Sequence, residues 1–188
     1  MNNLSFRKAE ERDLGTILGI YNYYVLNTTA NFFRHPVSQE EFRQLIFIGH
    51  EKYQTYLIDF SGQNVGFCFF TQYKKKDAYD RTAEIGVYLG PEYVARGFGI
   101  SAVAFLENVA REKQIRVLIA SISGENVASM RLFEKLGYRK CAHYRGVGEK
   151  FGRFLDVVDY QKILEDMGDN RRPRITRASN GKRRYRLS

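Results

Sequence analysis

Apolar residues recur with different periods in the first quarter of the chain, which separates a predicted strand from two predicted helices. Residues 4–8 predict a short strand, and residues 12–27 carry an apolar stripe at helical spacing. The stripe consists of Leu14, Ile17, Leu18, Tyr21 and Val25. Ser38 precedes Glu41 by three residues and an apolar stripe follows, which is typical of a helix that begins with a capping box.

The next segment predicts a hairpin and a third strand. Two runs of β-prone residues, 55–59 and 65–72, flank a turn at 61–64 that is rich in Ser, Gly and Asn. Residues 83–89 form another apolar run, and we expect a strand there.

Two further helices are predicted on either side of a buried strand. Residues 100–114 carry an apolar stripe that would pack on a sheet. Residues 117–122 are almost entirely apolar, as in strands that are buried on both faces. Asn126 can cap the helix that follows, and Gly137 can end it in the left-handed conformation.

The chain closes with two predicted strands, residues 138–144 and 154–161, joined by a glycine-rich loop that holds Gly146, Gly148 and Gly152. The whole order is a strand, two helices, three strands, a helix, a strand, a helix and two strands. It predicts an α/β (α+β) domain with a mixed sheet of about seven strands, flanked by about four helices.

The length and the charge divide the chain into two parts. The 188 residues suffice for one domain with its own core. The net charge is +9, but residues 169–188 alone contain eight arginine or lysine side chains and one aspartate. We therefore predict a domain at 1–167 and a basic tail at 168–188. The tail is interpreted as a flexible, solvated extension, and the alternative is a segment that binds nucleic acid or an acidic partner.

Cysteine usage and hydropathy exclude several classes of protein. Cys68 and Cys141 lie in apolar runs without a metal-ligand spacing, so both are expected to be buried thiols and no metal site is predicted. The sequence contains no run that reads as a signal peptide or as a membrane span. A cytoplasmic protein is the resulting expectation.

A pair of glycines, Gly97 and Gly99, separates the strand at 83–89 from the helix at 100–114. The first amides of a helix lack intrahelical partners and favour an anion, and glycine lets a ligand approach the backbone closely. The pattern predicts a phosphate-binding turn for a nucleotide-type cofactor. An ordinary loop is the alternative when this motif is taken alone.

Several blocks of residues, all in the same order, resemble one enzyme superfamily. They are residues 78–84, 87–89, 123–129 and 147–156, with further matches at 20–22 and 27–30. On these blocks the stretch 83–161 resembles the GCN5-related N-acetyltransferase (GNAT) superfamily, and more narrowly the phosphinothricin and methionine-sulfone N-acetyltransferases. The resemblance implies a mostly antiparallel sheet, acetyl-CoA as the cofactor and, by analogy with relatives, a homodimer.

The resemblance also assigns positions to coenzyme A. The backbone of residues 87 and 89 would pair with the pantetheine arm like an added strand, residues 95–100 would surround the pyrophosphate, and Asn126 would bind the pantetheine arm. The implied cofactor-binding residues are Val87, Tyr88, Leu89, Ala95, Arg96, Gly97, Phe98, Gly99, Ile100, Ser101, Asn126 and Ser129. Without the resemblance, Asn126 is a helix cap and Ser129 faces solvent.

Glu84 is the candidate catalytic base. An acceptor amine is mostly protonated near neutral pH and must lose a proton before it can attack a thioester. A carboxylate beside the cofactor cleft can take this proton, directly or through water, and does so more easily if partial burial raises its pKa. The resemblance gives the same role to this position. The alternative is a surface glutamate that pairs with Arg81.

Two positions depart from the family pattern. Val94 stands where many members have an arginine or glutamine that points at phosphate, and Arg96 is expected to compensate. Phe133 stands where many members have a tyrosine that protonates the leaving thiolate. Because a thiolate with a pKa of about 8.5 is a tolerable leaving group, we expect slower departure rather than inactivity, with Tyr88 and Tyr138 as candidate substitutes.

The acceptor pocket is predicted from chemistry alone. An amino-acid-like acceptor carries a carboxylate, which needs a cation, and a side chain that aromatic residues could line. The candidates are Phe33, Lys76, Tyr79, Arg81, Lys150 and Arg153. At least two of the three lysines at 74–76 are expected to face solvent.

Three functions follow from these observations. The leading hypothesis is an acetyl-CoA-dependent N-acetyltransferase that acts on the amine of a small amino-acid-like molecule, of the phosphinothricin or methionine-sulfone type. The first alternative acetylates a protein or peptide amine and docks on an acidic partner through its basic tail. The second alternative is a GNAT-fold protein that has lost catalysis and binds nucleic acid.

Overall fold

The computed structural model describes residues 3–164, which form seven strands and four α-helices in the predicted order. The strands are β1 (Leu4–Lys8), β2 (Gln54–Phe60), β3 (Gln63–Gln72), β4 (Thr82–Leu89), β5 (Val117–Ser123), β6 (Arg139–Lys150) and β7 (Arg153–Ile163). The helices are α1 (Leu14–Asn27), α2 (Gln39–Leu45), α3 (Phe98–Glu112) and α4 (Val127–Lys135). The predicted basic tail at 168–188 lies outside the described residues.

Polar caps fix the starts of two helices at the predicted residues. Before α2, the Glu41 backbone N–H donates to Ser38 Oγ (3.2 Å), and the Ser38 N–H donates to the Glu41 carboxylate (2.7 Å). At α4, Asn126 Oδ1 accepts from the Ser129 N–H at 3.1 Å. Gly137 follows α4 with a φ of +84°, a conformation that glycine adopts without strain.

The seven strands form one sheet in the order β1-β2-β3-β4-β5-β7-β6. Neighbouring strands are antiparallel except for β4 and β5, which are parallel. The predicted mixed, mostly antiparallel sheet is therefore confirmed. The parallel pairing is short, since it runs only from Thr82 opposite Val117 to Glu84 opposite Ile119. Beyond Glu84 the two central strands separate and leave a gap.

Helices cover both faces of the sheet and create two apolar cores. The larger core lies under α3 and α4 and includes Leu106 and Phe133. The smaller core lies under α1 and α2, where Phe42 and Phe67 are completely buried. Burial of each ring contributes about 2–3 kcal/mol relative to its exposure to water.

The alternation of side chains along β4 divides this strand between the two cores. Ile85 and Leu89 belong to the larger core, whereas Tyr88 packs against the smaller one. Because residues two and four positions apart share a face of a strand, Glu84 lies on the same side as Tyr88. This is the side covered by α1 and α2.

The last two strands form a hairpin that is longer than predicted. β6 continues to Lys150, so the connection to β7 consists only of Phe151 and Gly152. β5 pairs with β7 from Val157 onwards, and the part of β7 before that residue pairs with β6 alone. This part of the hairpin therefore projects beyond β5.

The prediction of a glycine-rich loop between the last two strands was wrong for Gly146 and Gly148, whereas Gly152 does lie in the connection. Gly146 and Gly148 lie inside the strand, at a shift of the pairing register between Tyr144 and Gly148. Gly146 has a φ of +59°, and a Cβ atom on Gly148 would lie 2.3 Å from the Phe32 ring. Glycines required by a bulge or a close contact cannot be distinguished in sequence from glycines of a loop.

The two cysteines differ in their surroundings. Cys68 is completely buried, as predicted, and burial raises the pKa of its thiol. Cys141 is exposed, which corrects the prediction, and its Sγ donates to the Asp159 carbonyl oxygen at 3.3 Å. The apolar pattern around Cys141 was misleading because β6 is an edge strand with one side open.

Candidate active site

A cavity of about 450 Å³ opens where β4 and β5 separate. Its walls come from α1, the loop after α1, β4, β5 and β7. The lining residues are Tyr21, Ala30, Asn31, Phe32, Phe33, Glu84, Tyr88, Ser121, Ile122 and Val157. The sheet thus brings together residues from both ends of the domain at the point where the central strands part.

Glu84 occupies the position that a base beside this gap requires. It is the last residue of β4 that pairs with β5, and its half-buried side chain lines the cavity. Burial raises the pKa of Glu84 above its ordinary value, and the negative charge of Asp159 raises it further. A carboxyl group with a raised pKa is a stronger proton acceptor once it is ionised.

Asp159 reaches the cavity wall through Ser121. The two residues lie opposite each other on β7 and β5, and Ser121 Oγ donates to Asp159 Oδ1 at 2.7 Å. Asp159 is also nearly buried, with 9% of its surface exposed. Sequence analysis missed this residue because its position next to Glu84 arises from the strand order and not from any motif.

Asn31 connects three elements on the opposite side of the cavity. Its Oδ1 accepts from the Phe33 N–H (2.9 Å), and its Nδ2 donates to the Tyr88 hydroxyl (3.3 Å). Its backbone carbonyl oxygen accepts from Lys150 Nζ at 2.6 Å. Both Asn31 and Lys150 are buried, and burial lowers the pKa of Lys150.

Sequence analysis also missed Asn31. A polar residue in a loop between two helices carries no periodic signal. The matching block at 27–30 ends one residue before it and was the only available pointer.

The glycine turn before α3 has the geometry of an anion cradle. Gly97 is the residue that precedes α3, and its φ of +86° lies in the left-handed region. A Cβ atom at Gly97 would have no neighbour within 4 Å, so the space beside the backbone is open. Ala95 also has a positive φ (+60°), so two residues of the turn adopt the left-handed backbone conformation. The first amides of an α-helix have no intrahelical partner, which is the feature that the predicted phosphate-binding turn requires.

Gly99 has a different neighbour from the one that a phosphate turn implies. A Cβ atom on Gly99 would lie 2.6 Å from Cδ1 of Leu132, which belongs to α4. The absence of a side chain at this position therefore allows α3 and α4 to pack closely, in addition to any role toward a ligand.

The other residues of the turn have identifiable contacts. Phe98 is buried with its ring 4.9 Å from Phe60, so its side chain belongs to the core. The Arg96 guanidinium lies 5.4 Å from the centre of the Tyr93 ring. Ser101 Oγ donates to the Gly97 carbonyl oxygen at 3.5 Å. Ile100 lies in the first turn of α3.

The predicted coenzyme-binding positions on β4 and α4 lie on opposite sides of the gap. The Leu89 carbonyl oxygen accepts from the Tyr24 hydroxyl at 2.7 Å, and Val87 pairs with Cys68 of β3. Asn126 Oδ1 caps α4 by accepting from the Ser129 N–H, and among residues 3–164 the NH₂ group of Asn126 has no hydrogen-bond partner. The helix-cap interpretation of Asn126 is confirmed, and it is compatible with the second role.

The structure brings one of the six acceptor candidates to this cavity, namely Phe33. Lys76, Tyr79 and Arg81 lie between β3 and β4, where Arg81 Nε donates to the Gln114 carbonyl oxygen. Lys150 is buried against Asn31. These four remain predictions as acceptor-binding residues.

Arg153, the sixth candidate, forms an ion pair beside the cavity. Its guanidinium contacts both carboxylate oxygens of Glu125, at 2.9 Å for Nη2 to Oε2. Thr29 Oγ1 donates to the same Oε2 at 3.0 Å. Glu125 thus links the tip of the β6–β7 hairpin to the loop after α1, and it directly precedes Asn126.

The residues considered for protonation of a leaving thiolate occupy two different places. Phe133 is buried in the larger core, with its ring 4.9 Å from that of Tyr138. Tyr138 is also buried there. Tyr88 is the one of the two candidate tyrosines that lines the cavity.

Within residues 3–164, no group of His, Cys, Asp and Glu side chains is arranged to hold a metal ion. Among the helices of the same residues, none is long and apolar enough to cross a membrane.

A family model described as an acetyltransferase (GNAT) domain matches residues 6–158. The L-methionine sulfoximine/L-methionine sulfone acetyltransferase of Salmonella typhimurium is 31% identical over 169 residues, which cover 87% of this chain and 96% of that protein.

Two solved structures share the fold. The ribosomal-protein-alanine N-acetyltransferase of Brucella melitensis has a TM-score of 0.77 and 32% identity, and the match covers 85% of this chain and 99% of that one. A phosphinothricin acetyltransferase of Sinorhizobium meliloti, in complex with acetyl-CoA, has a TM-score of 0.81 and 28% identity, with 86% of this chain and 89% of that one covered.

Proposed function

The chain belongs to the acetyltransferase (GNAT) domain family, and on this premise we propose that it acetylates the primary amine of a small amino-acid-like molecule. It is an N-acetyltransferase that uses acetyl-CoA as the acetyl donor. The finer proposal concerns the acceptor, which is of the phosphinothricin or methionine-sulfone type, and the residues that carry the reaction.

The observation that carries this proposal is the position of Glu84. It lines the cavity at the point where the one parallel strand pair of the described sheet opens, and its pKa is raised. A base at this point lies next to both proposed substrate positions, the gap between β4 and β5 for the donor and the cavity that opens there for the acceptor.

The reaction assigned to this site is a direct attack. Glu84 removes a proton from the ammonium form of the acceptor, directly or through one water molecule. The free amine then forms a C–N bond to the thioester carbonyl carbon, and the C–S bond breaks to release the thiolate of coenzyme A. The second proton that the nitrogen loses passes to this thiolate or to water. Because both substrates are held in one cavity, the chemical step is effectively unimolecular.

The donor side of the proposal rests on the turn at Gly97. An exposed helix N-terminus with an open, left-handed glycine fits a pyrophosphate, since the group needs several amide donors and close access to the backbone. The NH₂ group of Asn126 and the backbone of Val87 and Leu89 would hold the pantetheine arm.

The size and lining of the cavity support a small acceptor. A volume of about 450 Å³ accommodates an amino acid beside a thioester arm, and Phe32 and Phe33 provide an apolar wall. Two basic groups come from the neighbouring β6–β7 hairpin, namely Lys150, bonded to Asn31, and Arg153, bonded to Glu125. We propose that one of them faces the carboxylate of the acceptor.

The proposed transfer is tested by titrating the thiol released from acetyl-CoA in the presence of single amines. Methionine sulfone, phosphinothricin and short peptides form the panel. Glu84→Gln should lower turnover with the best acceptor at least about 100-fold, as expected for loss of a general base, while the dissociation constant of acetyl-CoA stays unchanged. The matched control is Glu112→Gln, an exposed residue at the end of α3, which should keep full turnover.

Two results would contradict the proposal. Wild-type protein that releases no thiol with any small amino acid would refute the acceptor class. Full turnover by Glu84→Gln over the whole pH range would remove Glu84 as the base.

A peptide acceptor is the second candidate, because a structure of similar identity is named a ribosomal-protein-alanine N-acetyltransferase. The same panel discriminates between the two. Turnover with peptides that exceeds turnover with free amino acids would favour this alternative.

We also propose that the protein is a homodimer. The support is a group of large apolar side chains on the projecting part of the β6–β7 hairpin. They are Tyr144 (47% exposed), Val147 (61%), Phe151 (57%) and Phe154 (75%). Clusters of exposed apolar residues mark contact surfaces more often than isolated ones do, and this group lies at the open edge of the sheet.

A further inference from the structure

The orientation of the Asn31 side chain is fixed by a backbone donor. The Phe33 N–H must donate to an acceptor, and the atom that it reaches at 2.9 Å is therefore the amide oxygen of Asn31. The nitrogen of the same amide must then face the Tyr88 hydroxyl, 3.3 Å away. The direction of this hydrogen bond follows from the chemistry of both neighbours.

The same bond determines where the Tyr88 hydroxyl hydrogen cannot point. An amide NH₂ group is only a donor, so the phenol oxygen accepts from Asn31 and directs its own hydrogen elsewhere. The hydrogen bonds among the described residues include none that Tyr88 donates. Tyr88 lines the cavity, and its O–H group is thus available to a bound molecule.

Aromatic contacts hold the ring of Tyr88 in place and so fix the position of its hydroxyl group. It stacks on Phe67 with ring centres 5.2 Å apart and meets Tyr24 edge-on at 5.2 Å. Lys150 anchors the backbone of Asn31 from the other side at 2.6 Å. Breaking the hydrogen bond of a buried ammonium group costs much free energy. The bond from Lys150 therefore restricts the movement of Asn31.

On the basis of the proposed acetyl transfer, we propose that the Tyr88 hydroxyl donates a hydrogen bond to the carbonyl oxygen of the acetyl thioester. Tyr88 lies between Val87 and Leu89, the two backbone positions assigned to the pantetheine arm, and its side chain enters the acceptor cavity. Asn31 and Lys150 are positioning residues in this arrangement, since they act through Tyr88.

The chemistry of the step suits a hydrogen bond rather than a proton transfer. As the amine attacks, the carbonyl π electrons move to oxygen, and a neutral O–H donor positioned beside that oxygen stabilises the charge. Burial raises the pKa of Tyr88, so the hydroxyl stays protonated over the working pH range. When the C–S bond breaks, the electrons return from oxygen to re-form the carbonyl, and Tyr88 keeps its proton throughout.

The test uses the carbonyl stretching frequency of bound acetyl-CoA that carries ¹³C at the acetyl carbonyl, measured by difference infrared spectroscopy without any acceptor. A hydrogen bond lowers this frequency, so Tyr88→Phe should raise it toward the value in an apolar solvent. The variant should also lower kcat about 10- to 100-fold, somewhat less than the loss of a complete oxyanion-hole donor, and raise the dissociation constant of acetyl-CoA by no more than about tenfold, the net contribution of one hydrogen bond.

Tyr53→Phe is the matched control, because it also removes one buried phenol hydroxyl, which has no hydrogen-bond partner among the described residues. It should change neither the frequency nor kcat. Asn31→Ala should shift the frequency part of the way, and the double variant should match Tyr88→Phe alone, as expected for residues that act as a unit.

An identical carbonyl frequency in wild type and Tyr88→Phe would overturn the inference. If Tyr88→Phe fails to fold or to bind acetyl-CoA, Asn31→Ala decides, and an unshifted frequency in that variant overturns the inference. Absence of thiol release by the wild-type protein would instead refute the proposed transfer, so the two failures are distinguishable.

Discussion

The raised pKa of Glu84 depends on β5 and on Asp159, which are both distant from it in sequence. Its burial comes from the closing of β4 onto β5, and the additional negative charge comes from Asp159, held by Ser121 Oγ at 2.7 Å. Both effects disfavour the ionised carboxylate, so the pKa of Glu84 rises. Sequence analysis identified Glu84 through chemistry and family resemblance, but Asp159 became visible only once β5 and β7 were paired.

Replacement of Asp159 by asparagine should move the pH dependence of the reaction. The base must be ionised to accept a proton, so kcat/KM rises with pH through the pKa of Glu84. Asp159→Asn removes a negative charge that raises this pKa, and the rise should therefore shift to lower pH. The measurement is the pH profile of kcat/KM for thiol release.

Asp59→Asn, on β2 at the other side of the sheet, is the control and should leave the profile in place. A shift of the Asp159→Asn profile to higher pH, or an unmoved profile, would show that Asp159 does not act on the base.

At the scale of single elements, the turn before α3 combines a left-handed backbone conformation with the proposed binding of acetyl-CoA. Gly97 and Gly62 are a useful pair, since their φ values are +86° and +82° and a Cβ atom on either would meet nothing within 4 Å. They differ in location, because Gly62 lies in the turn between β2 and β3.

Gly97→Ala and Gly62→Ala should both lower the free energy of unfolding by about 1–2 kcal/mol, the cost of a left-handed conformation for a residue with a side chain. Only Gly97→Ala should weaken the binding of acetyl-CoA. We expect the dissociation constant to rise about tenfold, which corresponds to a loss of about 1.4 kcal/mol of binding free energy. Denaturant unfolding and calorimetric titration measure the two quantities. Equal acetyl-CoA affinity in both variants would reject the phosphate-binding assignment of this turn.

At the scale of the whole molecule, the order of elements was predictable and the cavity was not. Stripes at helical spacing and apolar runs identified each helix and strand, because those periods depend only on local geometry. The loop at 30–33 and Val157 reach the cavity through the closing of α1 over the sheet and the pairing of β7 with β5. No local period encodes such contacts, and the same holds for the projecting hairpin.

The projecting part of the hairpin should mediate association of two copies. In sedimentation velocity experiments at micromolar concentration we expect the wild-type protein to be a dimer and Phe154→Glu to be a monomer. Phe154 is 75% exposed in the single chain, and a glutamate at this position would become buried in the dimer contact without an oppositely charged partner. Leu45→Glu, at an exposed apolar residue of α2, is the control and should remain dimeric. A monomeric wild-type protein would contradict the proposal.

The short pairing between β4 and β5 links the stability of the domain to substrate binding. Three register pairs join β1–β4 to β5–β7 within the sheet, so the two blocks of strands are connected by a narrow contact. A substrate bound at the proposed site between β4 and β5 would contact both blocks. Because a ligand that binds only the folded state stabilises it in proportion to RT ln(1 + [L]/Kd), the resistance of the domain to heat is tied to how much acetyl donor surrounds it.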